Sequence, residues 1–372
     1  MAGIYIHIPF CKTRCIYCDF FSNVRMDKKN RYVEALCDEI RRRKPYLKDE
    51  TVRTVYFGGG TPSQLDYEDF RSIFDTLNET FDLSGADEIT LEANPDDLTP
   101  EYIALLRKLP FNRLSMGIQS FSDKDLKFLN RRHDAASAIR AVKACQEAGF
   151  DNISIDLMYG LPEQTMEGWL YNLKTALALD VQHISSYHLI YEEGTRLYKL
   201  LEAGKVAEAD EDLSLEMFRA LIDNLREGGF IHYEVSNFGR EGRFSQHNSS
   251  YWRGENYLGL GPAAHSYNGE TRSWNVADLD KYIAGETEGE EETLTLQERY
   301  NDYILTSLRT MWGLPLDVLE EQFGLPLYDY CMAQALPHLK SGMLLKTENR
   351  LKLSPGGIFV SDGIMSDLMY VD

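Results

Sequence analysis

Basic residues are in deficit. The chain carries 39 Lys and Arg against 59 Asp and Glu, a formal net charge of −20. A surface of that sign repels phosphate backbones and anionic lipid, which excludes nucleic acid as the main partner. Long apolar runs are missing too: none approaches the ~18 residues that mark a membrane span, so an integral membrane protein is excluded. No basic segment followed by an apolar one stands at the N-terminus, as a secretory leader requires. Cysteine is scarce, six in 372 residues, and too unevenly spread for the disulfide framework of a small secreted scaffold. The expectation is a soluble, cytoplasmic protein with reduced thiols. Repeats and low-complexity linkers are absent apart from an acidic run, GETEGEEE from Gly285 to Glu292. It is expected to be a solvated loop, with a docking patch for a basic partner as the alternative.

What is present is alternation. Six β-rich apolar runs begin at Gly3 (GIYIHI), Arg53 (RTVYF), Glu88 (EITLEA), Asn112 (NRLSMGI), Asp151 (DNISIDLMYG) and Val181 (VQHISSYHL). Helical periodicity fills the gaps, as from Lys28 to Lys44, where Tyr32, Val33, Leu36 and Ile40 share one face. Strand-then-helix units force parallel pairing through crossovers of one hand. The pattern therefore predicts an α/β fold: an open, partial (βα)6 barrel over residues 1–190, with function at the C-terminal ends of its strands. After about Ile190 the alternation stops, and residues 191–372 are expected to form an α+β unit. It would hold a helix near Asp212 to Glu227, a Gly- and aromatic-rich stretch from Gln246 to Tyr267, and an amphipathic helix within Leu294 to Trp312. The tail reads helix, helix, hairpin (turn near Glu348 and Asn349), helix, an order like a winged-helix module. Its acid excess favours a packing or lid role over DNA binding.

The first predicted strand runs into HIPFCKTRCIYCDF, which places Cys11, Cys15 and Cys18 within eight residues, with spacers of three and two. Thiolates gathered so tightly usually hold a metal, yet zinc and iron–sulfur cubanes normally take four protein ligands. Cys37, Cys145 and Cys331 read as small buried hydrophobes. A Cys3His zinc site using His7 or His133 is the bland alternative, but zinc ligands generally come as paired knuckles across a longer loop. Three thiolates would instead fix three irons of a [4Fe–4S] cluster and leave the fourth open. With this CxxxCxxC order the chain resembles the radical S-adenosylmethionine (SAM) superfamily, in which the open iron is chelated by the amino and carboxylate groups of SAM. The resemblance implies that an electron from the cluster cleaves the sulfonium to a 5′-deoxyadenosyl radical, and that a donor such as flavodoxin or ferredoxin supplies it. Tyr17 would lie near the adenine.

Gly58, Gly59 and Gly60 after the second strand let the backbone turn sharply and approach a ligand, and Pro62 stiffens the exit. Taken alone, such a triplet is an ordinary turn. The stretches YIHIPFCKTRCIYCDF, VYFGGGTPS, LEANPDDL, LSMGIQSF, IDLMYGLP and GLGPAAHS together are similar to the coproporphyrinogen-dehydrogenase-like branch, the HemN/HemW family. That resemblance implies SAM contacts from Tyr5, Tyr17, Gly59, Gly60, Thr61, Glu92, Gln119, Arg131 and Asp156. The chemistry suits them: a carboxylate at Glu92 can take ribose hydroxyls or the ammonium, Gln119 pairs a donor with an acceptor, and Arg131 matches a carboxylate. His265 falls where the branch places another cofactor contact.

Two departures and one gain choose within the branch. Its oxidative decarboxylases follow the loop with a fourth cysteine, whereas here the sequence is Cys18-Asp19-Phe20, and they begin with an extension this sequence does not show. The segment HNSSYW, from His247 to Trp252, matches the HNxxYW signature of the branch's haem chaperones. There His247 would offer an axial nitrogen to haem iron, with Asn248 beside it and Tyr251 and Trp252 packed on the macrocycle. Arg253 would meet a propionate. Without that context the segment would be a structural loop. The expectation is a haem chaperone that binds a [4Fe–4S] cluster, SAM and haem and delivers haem to acceptor proteins. The alternatives are an oxygen-independent coproporphyrinogen III oxidase and, behind it, a zinc-stabilised binding protein.

Overall fold

In the computed structural model, which describes residues 2–48 and 51–371, six parallel strands form the centre. They are β1 (Ala2–Ile8), β2 (Val52–Gly59), β3 (Glu88–Ala93), β4 (Arg113–Gln119), β5 (Ile153–Tyr159) and β6 (His183–His188), paired in sequence order. Helices α1 (Lys29–Arg42), α2 (Tyr67–Thr80), α3 (Pro100–Leu106), α4 (Asp123–Phe128), α5 (Ala135–Glu147) and α6 (Met166–Ala178) make the crossovers. Strand alternation decides what each face carries. Ile4, Ile6 and Ile8 of β1, Val55 and Phe57 of β2, and Leu114, Met116 and Ile118 of β4 are buried in the core with the apolar faces of α1, α2 and α5. The other face is polar: Tyr5, His7, Thr54, Tyr56, Glu92, Arg113 and Asp156 lie there, a composition no ordinary core tolerates unless its groups are partnered.

Helix boundaries follow from capping. Asp66 accepts from the amides of Glu68 and Asp69 and forms a capping box at the start of α2, and Asp134 with Ser137 does the same for α5.

The strands after residue 190 join the same sheet. Helices α7 (Arg196–Glu202) and α8 (Glu211–Glu227) precede β7 (Ile231–Glu234) and β8 (Asn237–Gly239), and β8 pairs antiparallel to β6. After α9 (Gln246–Trp252), β9 (Asn256–Leu260) pairs parallel to β1. The sheet then continues through β10 (His265–Tyr267), β11 (Thr271–Asn275) and, after α10 (Leu279–Ile283), β12 (Glu288–Thr293), for twelve strands in all. A buried carboxylate ties this edge to α1. Glu39 accepts from Tyr282 Oη at 2.6 Å, Asn275 Nδ2 at 2.6 Å and the Gly261 amide at 2.9 Å.

The acidic run is a loop only over its first three residues, Gly285 to Thr287. Glu288 to Thr293 form the edge strand β12 against β11, with Glu290, Glu291 and Glu292 exposed. Charge on an edge discourages pairing with another chain, which a composition rule about charged loops does not anticipate.

The tail has its own core around Tyr300, Ile304, Leu319, Phe323, Leu351 and Met365. It comprises α11 (Leu296–Leu308), β13 (Leu314–Pro315), α12 (Leu316–Lys340), the hairpin β14 (Leu344–Thr347) and β15 (Arg350–Leu353), and α13 (Ser361–Leu368). Gly324, at φ +79°, breaks α12 into two helices, as the helix–helix reading of the tail expects, and the hairpin with β13 supplies the winged-helix-like sheet.

Candidate functional site

The cysteine loop leaves β1 and is pinned at both ends. Phe10 bridges Asn23, and the Cys11 amide donates to Asn23 O at 3.0 Å. Its middle is held by Ile16, which packs with Leu129, Met158, Leu161 and Leu197. The Ile16 amide donates to Leu129 O at 3.3 Å. Cys11 Sγ accepts from Thr61 Oγ1 at 3.4 Å, and Cys15 Sγ accepts from Arg131 Nη1 at 3.3 Å. Burial and the neighbouring thiols push Cys18 up to about 11, and burial raises Cys11 as well. Ionising these thiols together would require positive charge nearby.

All six cysteines are free thiols, and Cys37, Cys145 and Cys331 are buried away from the loop. Neither histidine of the zinc alternative joins the loop cysteines. His7 Nε2 is bonded to Phe21 O at 2.8 Å and its Nδ1 to Tyr5 Oη at 3.2 Å, while His133 Nε2 meets Ile118 O at 3.0 Å. Among the described residues no group of three or more His, Cys, Asp or Glu side chains could hold a single metal ion.

The glycine turn presses against this loop. Gly59 has φ +102°, and a Cβ there would lie 2.6 Å from the His7 ring; one on Gly60 would lie 2.9 Å from the carbonyls of Ile8 and Phe10. Thr61 links the two loops to β3, since Asn94 Nδ2 donates to its Oγ1 at 3.3 Å. Asp97, which the sequence does not single out, fastens the same junction. It accepts from Lys12 Nζ at 2.7 Å, Ser63 Oγ at 2.9 Å and Gln64 Nε2 at 2.6 Å, and pairs with Arg132 at 3.2 Å. No spacing rule marks an aspartate that joins three loops; only the fold brings its partners together.

Next to the loops, the polar face brings together Tyr5, Glu92, Gln119, Arg131 and Asp156. Glu92 Oε1 accepts from Tyr56 Oη at 2.7 Å; burial, with Asp156 adding to it, pushes the carboxyl up to about 7. Asp156 is pushed up to about 6 by burial, opposed by Arg113 and Ser185. Gln119 ends β4 at φ +71°, a conformation that costs a non-glycine residue about 1 kcal/mol or more and is kept where the surroundings require it. A Cβ on Gly117 would lie 3.1 Å from both Gln119 Nε2 and Arg131 Nη2. Arg131, expected to meet a ligand carboxylate, has Nη1 on Cys15 and Nη2 on Asn94 Oδ1 at 2.6 Å and the Gly117 carbonyl, and its Nε is buried without a partner. Tyr56 and Arg113 were not legible as site residues, although their place in the period-2 alternation, between apolar neighbours, is the signal that puts them on this face.

The HNSSYW segment is α9, beside the polar face and next to β2. His247 is 1% exposed. Its Nδ1 lies 2.7 Å from Thr54 Oγ1 and its Nε2 2.7 Å from Tyr251 Oη; burial pushes the ring down to about 3, so it is neutral. Neither nitrogen is free, and as folded the ring does not fit an axial bond to iron. Asn248, Tyr251 and Trp252 are half-buried, and Arg309 lies 5.6 Å from the Trp252 ring centre. Arg253 pairs with Glu255 at 2.7 Å in place of a propionate. His265 is exposed and stacks on Trp274.

Residues 5–176 match the Radical SAM superfamily and residues 294–360 the HemN C-terminal domain. Over 365 residues the chain is 33% identical to heme chaperone HemW of Bacillus subtilis (strain 168), covering 96% of each chain. The chain belongs to the HemW family. It is also 34% identical to heme chaperone HemW of Mycobacterium tuberculosis (strain H37Rv) over 99% of this chain and 94% of that one. The solved structure of coproporphyrinogen III oxidase (HemN) from Escherichia coli has a TM-score of 0.85 at 24% identity, covering 99% of this chain and 90% of that one. This likeness shows that a HemW chain and HemN share a fold. The radical SAM match implies an iron–sulfur cluster and SAM. No helix among the described residues is long and apolar enough to cross a membrane.

Proposed function

We propose that the protein is a haem chaperone: it binds haem, carries a [4Fe–4S] cluster on Cys11, Cys15 and Cys18 with SAM at the fourth iron, and hands haem to acceptor proteins. The observation that carries this reading is the likeness, along nearly the whole chain, to chains named as haem chaperones. Cys18-Asp19-Phe20 supports it, since no fourth thiol follows the loop. Residues 1–190 are proposed to carry the cluster and SAM, and residues 191–372 the α+β remainder. The free thiols support a reducing, cytoplasmic setting.

The bound cluster and SAM would supply one-electron chemistry at the sulfonium, with a small redox protein such as flavodoxin or ferredoxin as the electron source. The chain's own residues position and shield them. Thr61 and Arg131 donate to Cys11 and Cys15, which steadies charge on sulfur. Gly59 and Gly60 let the turn pack against β1 and the cysteine loop, where any Cβ would collide with the His7 ring or with the Ile8 and Phe10 carbonyls. Glu92, once ionised, accepts hydrogen bonds from hydroxyl or ammonium groups, and Asp156, Gln119, Tyr5 and Tyr17 complete the proposed SAM contacts. Asn248, Tyr251 and Trp252 are proposed to pack on the haem without an iron bond from His247.

The test is haem titration into anaerobically reconstituted protein, followed by mixing with a haem-free acceptor. A Soret band that forms and then moves to the acceptor supports the chaperone. No haem binding, or conversion of coproporphyrinogen to protoporphyrinogen in the presence of SAM and reductant, overturns it.

A further inference from the structure

We infer that His247 is a positioning residue for the carboxylate of Glu92, acting through Tyr56, and not a ligand of haem iron. The inference rests on the reading of Glu92 as a SAM contact.

The His247 ring lies nearly flat against Tyr56, with centres 5.0 Å apart and planes 21° apart. Tyr5 stacks on both, 6.2 Å from Tyr56 and 6.4 Å from His247. The three rings form one layer, and the only polar group Tyr56 presents beyond it is the hydroxyl that donates to Glu92 at 2.7 Å. Holding the Tyr56 ring flat therefore aims that hydroxyl, and through it the carboxylate.

The histidine itself is fixed from several sides. Thr54 and Tyr251 take its two nitrogens. Its backbone amide donates to Glu88 Oε1 at 3.0 Å, and the Gln246 amide donates to Glu88 Oε2 at 2.9 Å. Opposite the ring stands Gly3, where even a Cβ would approach to 3.2 Å. Turning a nitrogen toward iron would strand the Thr54 or Tyr251 hydroxyl in a buried place, and a planar macrocycle has no approach to a side chain this enclosed. An axial ligand needs one nitrogen bare and facing the metal. His247 has neither property.

The test uses the anaerobically reconstituted holoprotein, measuring SAM affinity by equilibrium dialysis without reductant, and haem affinity and Soret position by titration. His247→Ala is expected to weaken SAM binding roughly tenfold and leave the Soret position as in the wild type. His247→Phe keeps the ring and restores SAM affinity to within about twofold. Tyr56→Phe weakens SAM by a similar factor, and adding His247→Ala to it weakens SAM no further, as expected for residues acting as one unit. Unchanged SAM affinity in His247→Ala, additive losses in the double variant, or a displaced Soret band in either His247 variant overturns the inference. Should the alanine variant not fold, His247→Phe decides: loss of the wild-type Soret band contradicts the inference, and its retention with full SAM affinity supports it. A wild-type protein that binds no SAM would instead remove the cofactor reading itself.

Discussion

Tyr56 and Glu92 meet across neighbouring strands, the phenol donating to the carboxylate at 2.7 Å. The bond favours the ionised form, yet burial wins and pushes the Glu92 carboxyl up to about 7. The folded protein therefore holds this proton more tightly than the unfolded chain does, and folding stability falls as pH rises from the ordinary carboxylate range through about 7.

Glu92→Gln removes that penalty. The variant is expected to be more stable than the wild type at pH 8, by about 2 kcal/mol, and to show a flatter stability profile between pH 5 and 8 in urea unfolding. With the ionised Glu92 as the proposed SAM contact, SAM binding should follow the opposite sign: wild-type affinity is expected to rise with pH through about 7, and Glu92→Gln to bind weakly throughout. A variant less stable at pH 8 contradicts this assignment.

Asp97→Ala takes the acceptor from Ser63 and Gln64 at the junction of the two loops, and one partner from the half-exposed Lys12 and from Arg132, which keeps Asp96. A loss of about 2 kcal/mol is expected from leaving the Ser63 and Gln64 donors without their acceptor. Because Lys12 adjoins Cys11, the reconstituted variant should also lose cluster absorbance to a chelator faster than the wild type. Denaturant unfolding and bleaching kinetics read the two effects separately.

Gly60→Ala drives a methyl group into the backbone carbonyls of Ile8 and Phe10, neither of which can rotate away. A cost of about 2 kcal/mol in stability is expected, with cluster incorporation reduced because the same backbone leads into Cys11. Iron content per chain after reconstitution, beside that of the wild type, is the check.

Glu39→Ala leaves Tyr282, Asn275 and the Gly261 amide without their shared acceptor. About 3 kcal/mol of stability should be lost, most visibly as exposure of the 256–293 edge to amide exchange. Cys11, Cys15 and Cys18 are not among its partners, so cluster content should hold in the protein that remains folded.

Five of the six central strands were legible because they place isoleucine, leucine, valine, phenylalanine or methionine at alternate positions, as in Ile4, Ile6 and Ile8, while β6 carries Ile184 alone among these residue types. The cysteine spacing and glycine turn were legible because few chemistries need them. Partner geometry was not. His247 reads as an exposed ligand next to aromatics, and only the packing of α9 against Tyr56 reveals an enclosed ring with both nitrogens used. Likewise GETEGEEE carries the composition of a loop, but a strand needs only backbone partners, and β11 supplies them. Asp97 gathers donors from segments up to 85 residues away, beyond the reach of any local pattern.

The most direct test of the account is Mössbauer spectroscopy of protein reconstituted with Mössbauer-active iron, recorded before and after SAM is added. Three irons on Cys11, Cys15 and Cys18 and one without a protein sulfur predict a cubane in which a single iron site changes its parameters on SAM addition. Four irons that respond alike, no response at all, or a protein that takes up zinc and assembles no cluster would contradict it.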